Sequence, residues 1–217
     1  MKKILVIAAT MLASLSLSLV QAANPVADVN GLKEKMQANA AKISSIQSDF
    51  TLVKYISVMS STMKSSGKFY YKKNDKVKLE FLLPIKQNLV MNGDKLMMDA
   101  NGKPMVMDAK SNPMMGELKK VISACMSGNI ANMGSNYKME YFVDGGNYLV
   151  VITPLSADIK KFAERVDLYL DSSDFTVIKM RMTEALKPNQ KKNDYSEYVF
   201  SGKQKNVNID DSVFSIK

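Results

Sequence analysis

Residues 67–108 read GKFYYKKNDKVKLEFLLPIKQNLVMNGDKLMMDANGKPMVMD, and this stretch decides the fold class. Turn-forming residues cut it into five short apolar runs: Lys73-Asn74-Asp75-Lys76, Pro84, Asn92-Gly93-Asp94 and Asn101-Gly102-Lys103-Pro104. Asn-Gly between apolar runs is a strong hairpin signal, because both residues tolerate the left-handed backbone of a tight turn. Within each run, apolar and polar residues alternate. Phe69 and Tyr71 alternate with Lys68, Tyr70 and Lys72, and Val77, Leu79 and Phe81 with Lys78 and Glu80. Leu89 and Met91 alternate with Asn88 and Asn92, Leu96 and Met98 with Lys95 and Asp99, and Met105 and Met107 with Asp108. A period of two collects one residue type on one face of a strand. The stretch therefore predicts an antiparallel meander of five strands with one apolar face.

The pattern extends in both directions. Upstream, Phe50, Leu52, Ile56 and Val58 share one parity in a strand expected over Ile46–Met59, and the serine-rich segment 60–66 predicts a loop. Before it, Pro25–Ile46 predicts an amphipathic helix with Val29, Leu32, Met36, Ala40 and Ile43 at spacings of three and four. Downstream, Ser111–Gly128 predicts a second helix, with Asn112 as N-cap, Pro113 at the first helical position and Gly128 as C-terminal cap. Its apolar stripe is Met115, Leu118, Ile122, Cys125 and Met126.

Strands then resume. Met139, Tyr141 and Val143 alternate with charged residues, and Asp144-Gly145-Gly146-Asn147 is a turn. Tyr148–Thr153 is apolar on both faces, which predicts deep burial; Ile159, Phe162 and Ala163 suit one helical turn. Val166, Leu168 and Leu170 mark the next strand, then Ile178, Met180 and Met182, then Tyr198 and Phe200. Val213, Phe214 and Ile216 are expected to tuck the C-terminus against a sheet edge. The sum is a mainly β chain with α: a curved antiparallel half-barrel of about eleven strands with lid helices.

The N-terminus reads as a targeting segment. Lys2-Lys3 precedes an apolar run from Ile4 to Val20, and Val20-Gln21-Ala22 resembles a signal-peptide cleavage site. Residues 1–22 are expected to leave, placing a single domain over 23–217 in a bacterial periplasm. Losing Lys2 and Lys3 takes the net charge from +9 to +7. The lysine pairs 119–120, 160–161 and 191–192 are scattered without interleaved aromatics, so no nucleic-acid surface is expected. They read first as solvated faces, and otherwise as a weak docking patch for an anionic membrane or acidic partner.

The residue inventory argues against an enzyme. The chain has no histidine and one cysteine, Cys125, so it offers no imidazole for a catalytic triad or a metal and no internal disulfide. Ser61-Thr62-Met63-Lys64 and Ser65-Ser66-Gly67-Lys68 match Ser-x-x-Lys but lack the companion motifs that chemistry needs. Asp171-Ser172-Ser173-Asp174 suits an Asx turn better than a calcium loop. Cys125, on an apolar stripe, reads as a small buried hydrophobe. No metal or other cofactor is expected. Fifteen of the 17 methionines lie beyond residue 22. Methionine serves equally as a core filler and as the lining of an adaptable apolar cavity, and composition leaves both readings open.

A set of ordered segments bears on that choice: Ser44-Ser45-Ile46-Gln47-Ser48-Asp49-Phe50, Gly67 to Lys73, Val77 to Pro84, and Asn92-Gly93-Asp94-Lys95-Leu96. Asn112-Pro113-Met114-Met115, Tyr148 to Pro154, and Asn208-Ile209-Asp210-Asp211 with Phe214 complete it. In order and spacing the chain resembles the LolA family of periplasmic outer-membrane lipoprotein carriers. The resemblance implies a monomeric eleven-stranded half-barrel whose cavity holds lipoprotein acyl chains. It implies loading by an inner-membrane lipoprotein-releasing ABC exporter and delivery to an outer-membrane acceptor. On strand parity, the lining would be Phe50, Leu52, Phe69, Tyr71, Val77, Leu79, Phe81, Leu89, Met91, Leu96, Met98, Met139, Tyr141, Val166, Leu168, Met180 and Tyr198. The lid would present Met36, Ile43, Met115, Leu118 and Ile122. Family members commonly carry Arg-Pro after the second strand, where the arginine reaches the lid; here the position is Lys73-Asn74, making Lys73 the candidate latch. An envelope sensor of lipids or lipoproteins, or a carrier of another lipid such as a glycolipid, are the alternative readings.

Overall fold

The structure is a computed structural model that describes residues 23–216 except 101, 112, 128, 129, 131, 132 and 162. The expected targeting segment, Asn101, the caps Asn112 and Gly128, Phe162, and the side chains of Met115, Leu118 and Met126 lie outside the described residues. The elements run β1 (Asn24–Pro25), α1 (Val29–Lys42), β2 (Ser45–Ile56), β3 (Ser61–Lys72), β4 (Lys76–Leu83), β5 (Gln87–Asn92), β6 (Lys95–Ala100) and β7 (Lys103–Asp108). They continue with α2 (Pro113–Ser127), β8 (Tyr137–Asp144), β9 (Asn147–Pro154), α3 (Ala157–Lys160), β10 (Arg165–Leu170), β11 (Val177–Thr183) and β12 (Tyr195–Lys205).

The strands make one unclosed, curved antiparallel sheet of 12 strands, in the order β1-β8-β9-β10-β11-β12-β2-β3-β4-β5-β6-β7. The expected meander is β3 to β7, held by pairs such as Leu79↔Leu89 and Met91↔Leu96. Asn74 and Asp75 both adopt positive φ in the β3–β4 turn, as a tight hairpin requires. The strand beyond the expected eleven is the two-residue β1, which pairs with β8 through Asn24↔Val143.

The order explains where the helices lie. β1 sits at one edge and β2 near the middle, so α1 is the crossover between them. β7 sits at the other edge and β8 beside β1, so α2 lies on a connection between opposite sides of the sheet. Asp28 caps α1 by accepting from the Gly31 backbone N–H at 2.8 Å. The helix stops at Ile43, whose extended backbone leads into β2.

Several expectations differ from the structure. Pro25 and Ile46, expected at the ends of the first helix, lie in β1 and β2, and Val58 and Met59, expected in the first strand, lie in a turn of 3-10 helix. The serine-rich segment is not a loop: β3 begins at Ser61 and stays in register with β2 from Ile56↔Ser61 to Ser45↔Lys72. Its side chains give no alternating signal, but β2 supplies backbone partners along its whole length, and pairing those groups outweighs weak strand propensity. The C-terminus covers a face rather than an edge. The one-turn helix Asp211–Phe214 packs with Ile209 on Val90 and Met97, opposite the meander's main apolar face. Lys72 donates to the Ile209 carbonyl at 2.8 Å and pairs with Asp211 at 2.6 Å, and Asn92 donates to the Phe214 carbonyl at 3.1 Å.

Gly67 marks a close approach within the sheet. It lies opposite Phe50 on β2 and Phe81 on β4, at a register irregularity. A Cβ there would stand 1.9 Å from the Glu80 carbonyl oxygen and 3.0 Å from the Phe50 ring. Its absence lets the Phe50 and Phe81 rings meet edge to face at 5.1 Å. Because the obstacle is backbone, Gly67→Val is expected to destabilise the fold by about 1–3 kcal/mol, measured as a lower urea midpoint at unchanged m-value.

Candidate lipid-binding face

Strand parity sorts the expected lining onto one face of the sheet, and that face holds two buried apolar clusters. One gathers Phe50, Phe69, Tyr71, Val77, Leu79, Met91 and Leu96 from β2 to β6, with Leu52, Phe81, Leu89 and Tyr198 packed against them. The other gathers Tyr141, Val166 and Leu168 from β8 and β10, with Val150, Ile152 and Leu170, and Met139 beside them. Met180 and Phe200, on adjacent strands in the middle of the sheet, pack against both. A chain of aromatic contacts crosses the first cluster: Phe50–Tyr198 at 6.0 Å, Tyr198–Phe200 at 6.4 Å and Phe69–Phe200 at 5.3 Å.

Each helix touches both clusters. On α1, Leu32 and Met36 enter the β8–β10 cluster, whereas Ile43 at the helix end enters the meander cluster. On α2, Cys125 enters the first of these and Ile122 packs on the second. Met36 is completely buried. Burial pushes the Cys125 thiol up to about 12, so it stays protonated and inert near neutral pH. Burial likewise raises Tyr71 and Tyr141, which keep their hydroxyl protons.

One residue of the expected lining lies apart. Met98 shares the parity of Leu96 but is 46% exposed: it pairs with the exposed Met105 toward the far end of β6, whereas Leu96 at the other end of the same strand is buried in the cluster. A buried polar group without a partner interrupts the face. Ser48 has the parity of Phe50 and is buried, yet its Oγ has no hydrogen-bond partner among the described residues. It borders a small void shared with Ile46, Phe69, Val177 and Phe200.

The helices are tied to the sheet by polar contacts at one rim. Lys73 Nζ donates to the Ala41 carbonyl at 2.7 Å, near the end of α1, and Lys73 N–H donates to Ser44 at 2.9 Å. Asn39 of α1 donates to the Asp174 carbonyl in the β10–β11 turn. That turn is an Asx turn: Asp171 accepts from the Ser173 N–H at 2.8 Å and Asp174 from the Thr176 N–H at 3.0 Å. Lys203 and Lys205 hold Asp174 at 3.3 and 2.7 Å and, against the cost of burial, keep its carboxyl well below the usual range.

The α2 attachment was not legible in the sequence. Lys119 inserts between two hairpin turns, 3.0 Å from Asp75 after β3 and 2.8 Å from Asp94 after β5. Ser123, one turn further along α2, donates to Asp75 at 2.7 Å, and Lys110 closes on Asp94 at 2.8 Å. Asp75 and Asp94 look like ordinary turn residues, and only the placement of α2 makes them its anchors. Among the described residues no metal-binding cluster occurs and no helix is long and apolar enough to cross a membrane.

The hydrogen bonds from Lys110 and Lys119 lower the Asp94 carboxyl to about 2, below its ordinary 3.8. A depressed carboxylate stabilises the fold above its unfolded pKa, and that contribution is lost as pH falls through the folded value. Asp94→Asn is therefore expected to lower the melting temperature near neutral pH, with the gap to the parent protein closing between about pH 4 and pH 2. Thermal denaturation of both proteins across that range checks it.

Comparison with known proteins gives a family. The family model described as "Outer membrane lipoprotein carrier protein LolA" matches residues 41–217. No curated protein matches. Among solved structures, a LolA superfamily protein from Nitrosomonas europaea is 14% identical over 85% of this chain and 97% of that one, with TM-score 0.43. A DUF1329 family protein from Desulfovibrio piger is 12% identical over 88% and 98%, with TM-score 0.46. The Pseudomonas aeruginosa MucA/MucB complex contains a chain 12% identical over 85% and 60%, with TM-score 0.45.

Proposed function

The chain belongs to the LolA family of outer membrane lipoprotein carrier proteins, and from that premise we propose that it shields lipoprotein acyl chains and carries them from the inner to the outer membrane. One observation carries this reading: two crossover helices, tied at the rim by lysines, cover a continuous apolar face that bridges two clusters. The cargo cavity is that face, opened when the helices shift.

The physical need is simple. Each methylene moved out of water contributes roughly 0.8 kcal/mol, so exposing a long acyl chain costs on the order of 10 kcal/mol. An empty apolar groove would carry a similar cost. Here Met36, Ile43 and Ile122 fill it, so cargo exchanges one set of apolar contacts for another. Net affinity is then a small difference between large terms, which permits release. Lys73 is the latch on α1. An ammonium is a point donor rather than the two-pronged fork of a guanidinium, so this latch yields more readily than an arginine would.

On this reading residues 1–22 are a leader removed near Ala22, and the mature monomer works in the periplasm. It receives cargo from an inner-membrane lipoprotein-releasing ABC exporter, surrenders it to an outer-membrane acceptor, and has no catalytic role.

Phe81→Asp places a carboxylate on the lining at a half-buried site, where the fold tolerates it better than at Leu79. It is expected to weaken binding of a fluorescent acyl probe by about tenfold or more. Unchanged probe affinity in a folded Phe81→Asp protein refutes the cavity assignment. In the native cell, depletion is expected to strand outer-membrane lipoproteins at the inner membrane, and normal lipoprotein sorting after depletion refutes the carrier role.

A further inference from the structure

The two ends of the curved sheet differ in chemistry. At the end that anchors the helices, the strand connections carry the exposed Lys73, Asn74 and Gly145–Gly146 and the half-buried Asp75 and Gly93, which are polar or glycine. At the opposite end the connections carry large apolar side chains in water. Val58 is 73% exposed and Met59 64%, and Ile85 and Leu186 are exposed as well, as are the adjoining strand residues Met63 of β3 and Leu83, 63% exposed at the end of β4. Turns are ordinarily polar, so several apolar turns at one end of one sheet mark an interaction surface.

The most prominent of these connections is the β2–β3 hairpin. Its pairing runs out to Ile56↔Ser61, whereas β4 pairs with β3 only as far as Ser66↔Leu83. The hairpin therefore projects past its neighbour. A groove of about 580 Å³ on this flank is lined by Leu52, Ser65 and Lys64 of the hairpin and by Leu83 and Pro84. The tip is not loose chain. Ser57–Met59 forms one turn of 3-10 helix, and its first N–H donates at 2.7 Å to Asp194, a buried carboxylate of the β11–β12 loop. Tyr55 stacks on Tyr195 at 5.4 Å just behind it. This scaffold points Val58 and Met59 outward.

The exposed charges nearest the tip that form no ion pair among the described residues are lysines. Lys54 and Lys64 flank the hairpin on opposite faces, Lys86 lies in the β4–β5 turn and Lys103 opens β7; all four are exposed and form no ion pair among the described residues. Most acids at this end are engaged: Asp194 with the Ser57 N–H and Lys187, Glu184 with Lys187 at 2.9 Å, Glu164 with Asn193 and Asp158 with Lys161. Asp99 near the end of β6 is the exception, its Oδ1 buried without a hydrogen-bond partner among the described residues. Apolar side chains on separate turn tips with free lysines between them fit a flat anionic lipid interface better than a concave protein partner.

We propose that this end of the sheet docks on an anionic phospholipid surface, with Val58 and Met59 entering the interface and Lys54, Lys64, Lys86 and Lys103 meeting headgroup phosphates. Docking goes beyond the carrier role and does not depend on what the cavity holds. It brings the groove beside Leu52, which packs on the meander cluster, to the bilayer.

Flotation of the purified mature protein with vesicles tests it. The protein is expected to float with phosphatidylethanolamine–phosphatidylglycerol vesicles, to do so less as salt rises, and to stay behind with phosphatidylcholine vesicles. The double change Val58→Asp and Met59→Asp is expected to lower vesicle affinity by about tenfold or more. Lys64→Glu and Lys86→Glu should each cost about fivefold or more. All of these variants should melt like the parent, since the side chains are exposed, and should bind the fluorescent acyl probe as the parent does. An environment-sensitive dye on Met59→Cys, which labels selectively because Cys125 is buried, should shift its emission to the blue on adding anionic vesicles. Three results overturn the proposal: no flotation with anionic vesicles, equal flotation of the tip variant, or flotation only when a membrane protein is reconstituted. Because the probe assay reads the cavity separately, failed docking with intact probe binding leaves the carrier reading standing.

Discussion

An open antiparallel sheet with an apolar face cannot leave that face in water, and every larger feature of this protein follows from how it is covered. The sheet does not close, so its strands do not bury the face against one another. Covering comes instead from the two connections that the strand order forces across it: α1 between an edge and the centre, and α2 on the path between opposite sides. Each helix sets apolar side chains into both halves of the face. The lid is thus a product of topology as much as of amphipathic sequence.

The forces that hold the helices differ in kind. Burial of Met36, Ile43, Ile122 and Cys125 supplies most of the attraction, since each fully buried aliphatic side chain contributes about 1.5–3 kcal/mol. The rim contacts of Lys73 and Lys119 are partly solvated and contribute about 0–1 kcal/mol apiece. They fix where the helices sit rather than whether they sit. An apolar seat with polar register pins suits the displaceable cover that the proposed carrier role calls for.

Much of the fold was legible because strand alternation and turn chemistry are local. The runs around Val77–Phe81 and Leu89–Met91, and the turns at Asn74-Asp75 and Asn92-Gly93, announce a meander without reference to anything distant. The segment Ser61–Ser66 did not announce itself, because its strand character comes from β2 lying alongside. The C-terminal Phe214 was legible as an anchor but not in its destination. Val90 and Met97 form an apolar patch on the face that parity makes mostly polar, and two such residues look incidental until Phe214 is seen between them. Met98 shows the converse: correct parity, but at the end of β6 that the buried cluster does not reach, although Leu96 on the same strand is enclosed.

The sequence by itself determined which residues share a face, where the chain turns, and that the chain carries no imidazole for catalysis. These depend on periods of two and of three to four residues, which a short window contains. Only the tertiary structure decided which apolar groups meet, that Asp75 and Asp94 converge on Lys119, and that the exposed apolar residues Val58, Met59, Leu83 and Ile85 gather at one end of the sheet. Those relations join residues tens of positions apart, and they exist only once the sheet's order and curvature bring the turns together in space.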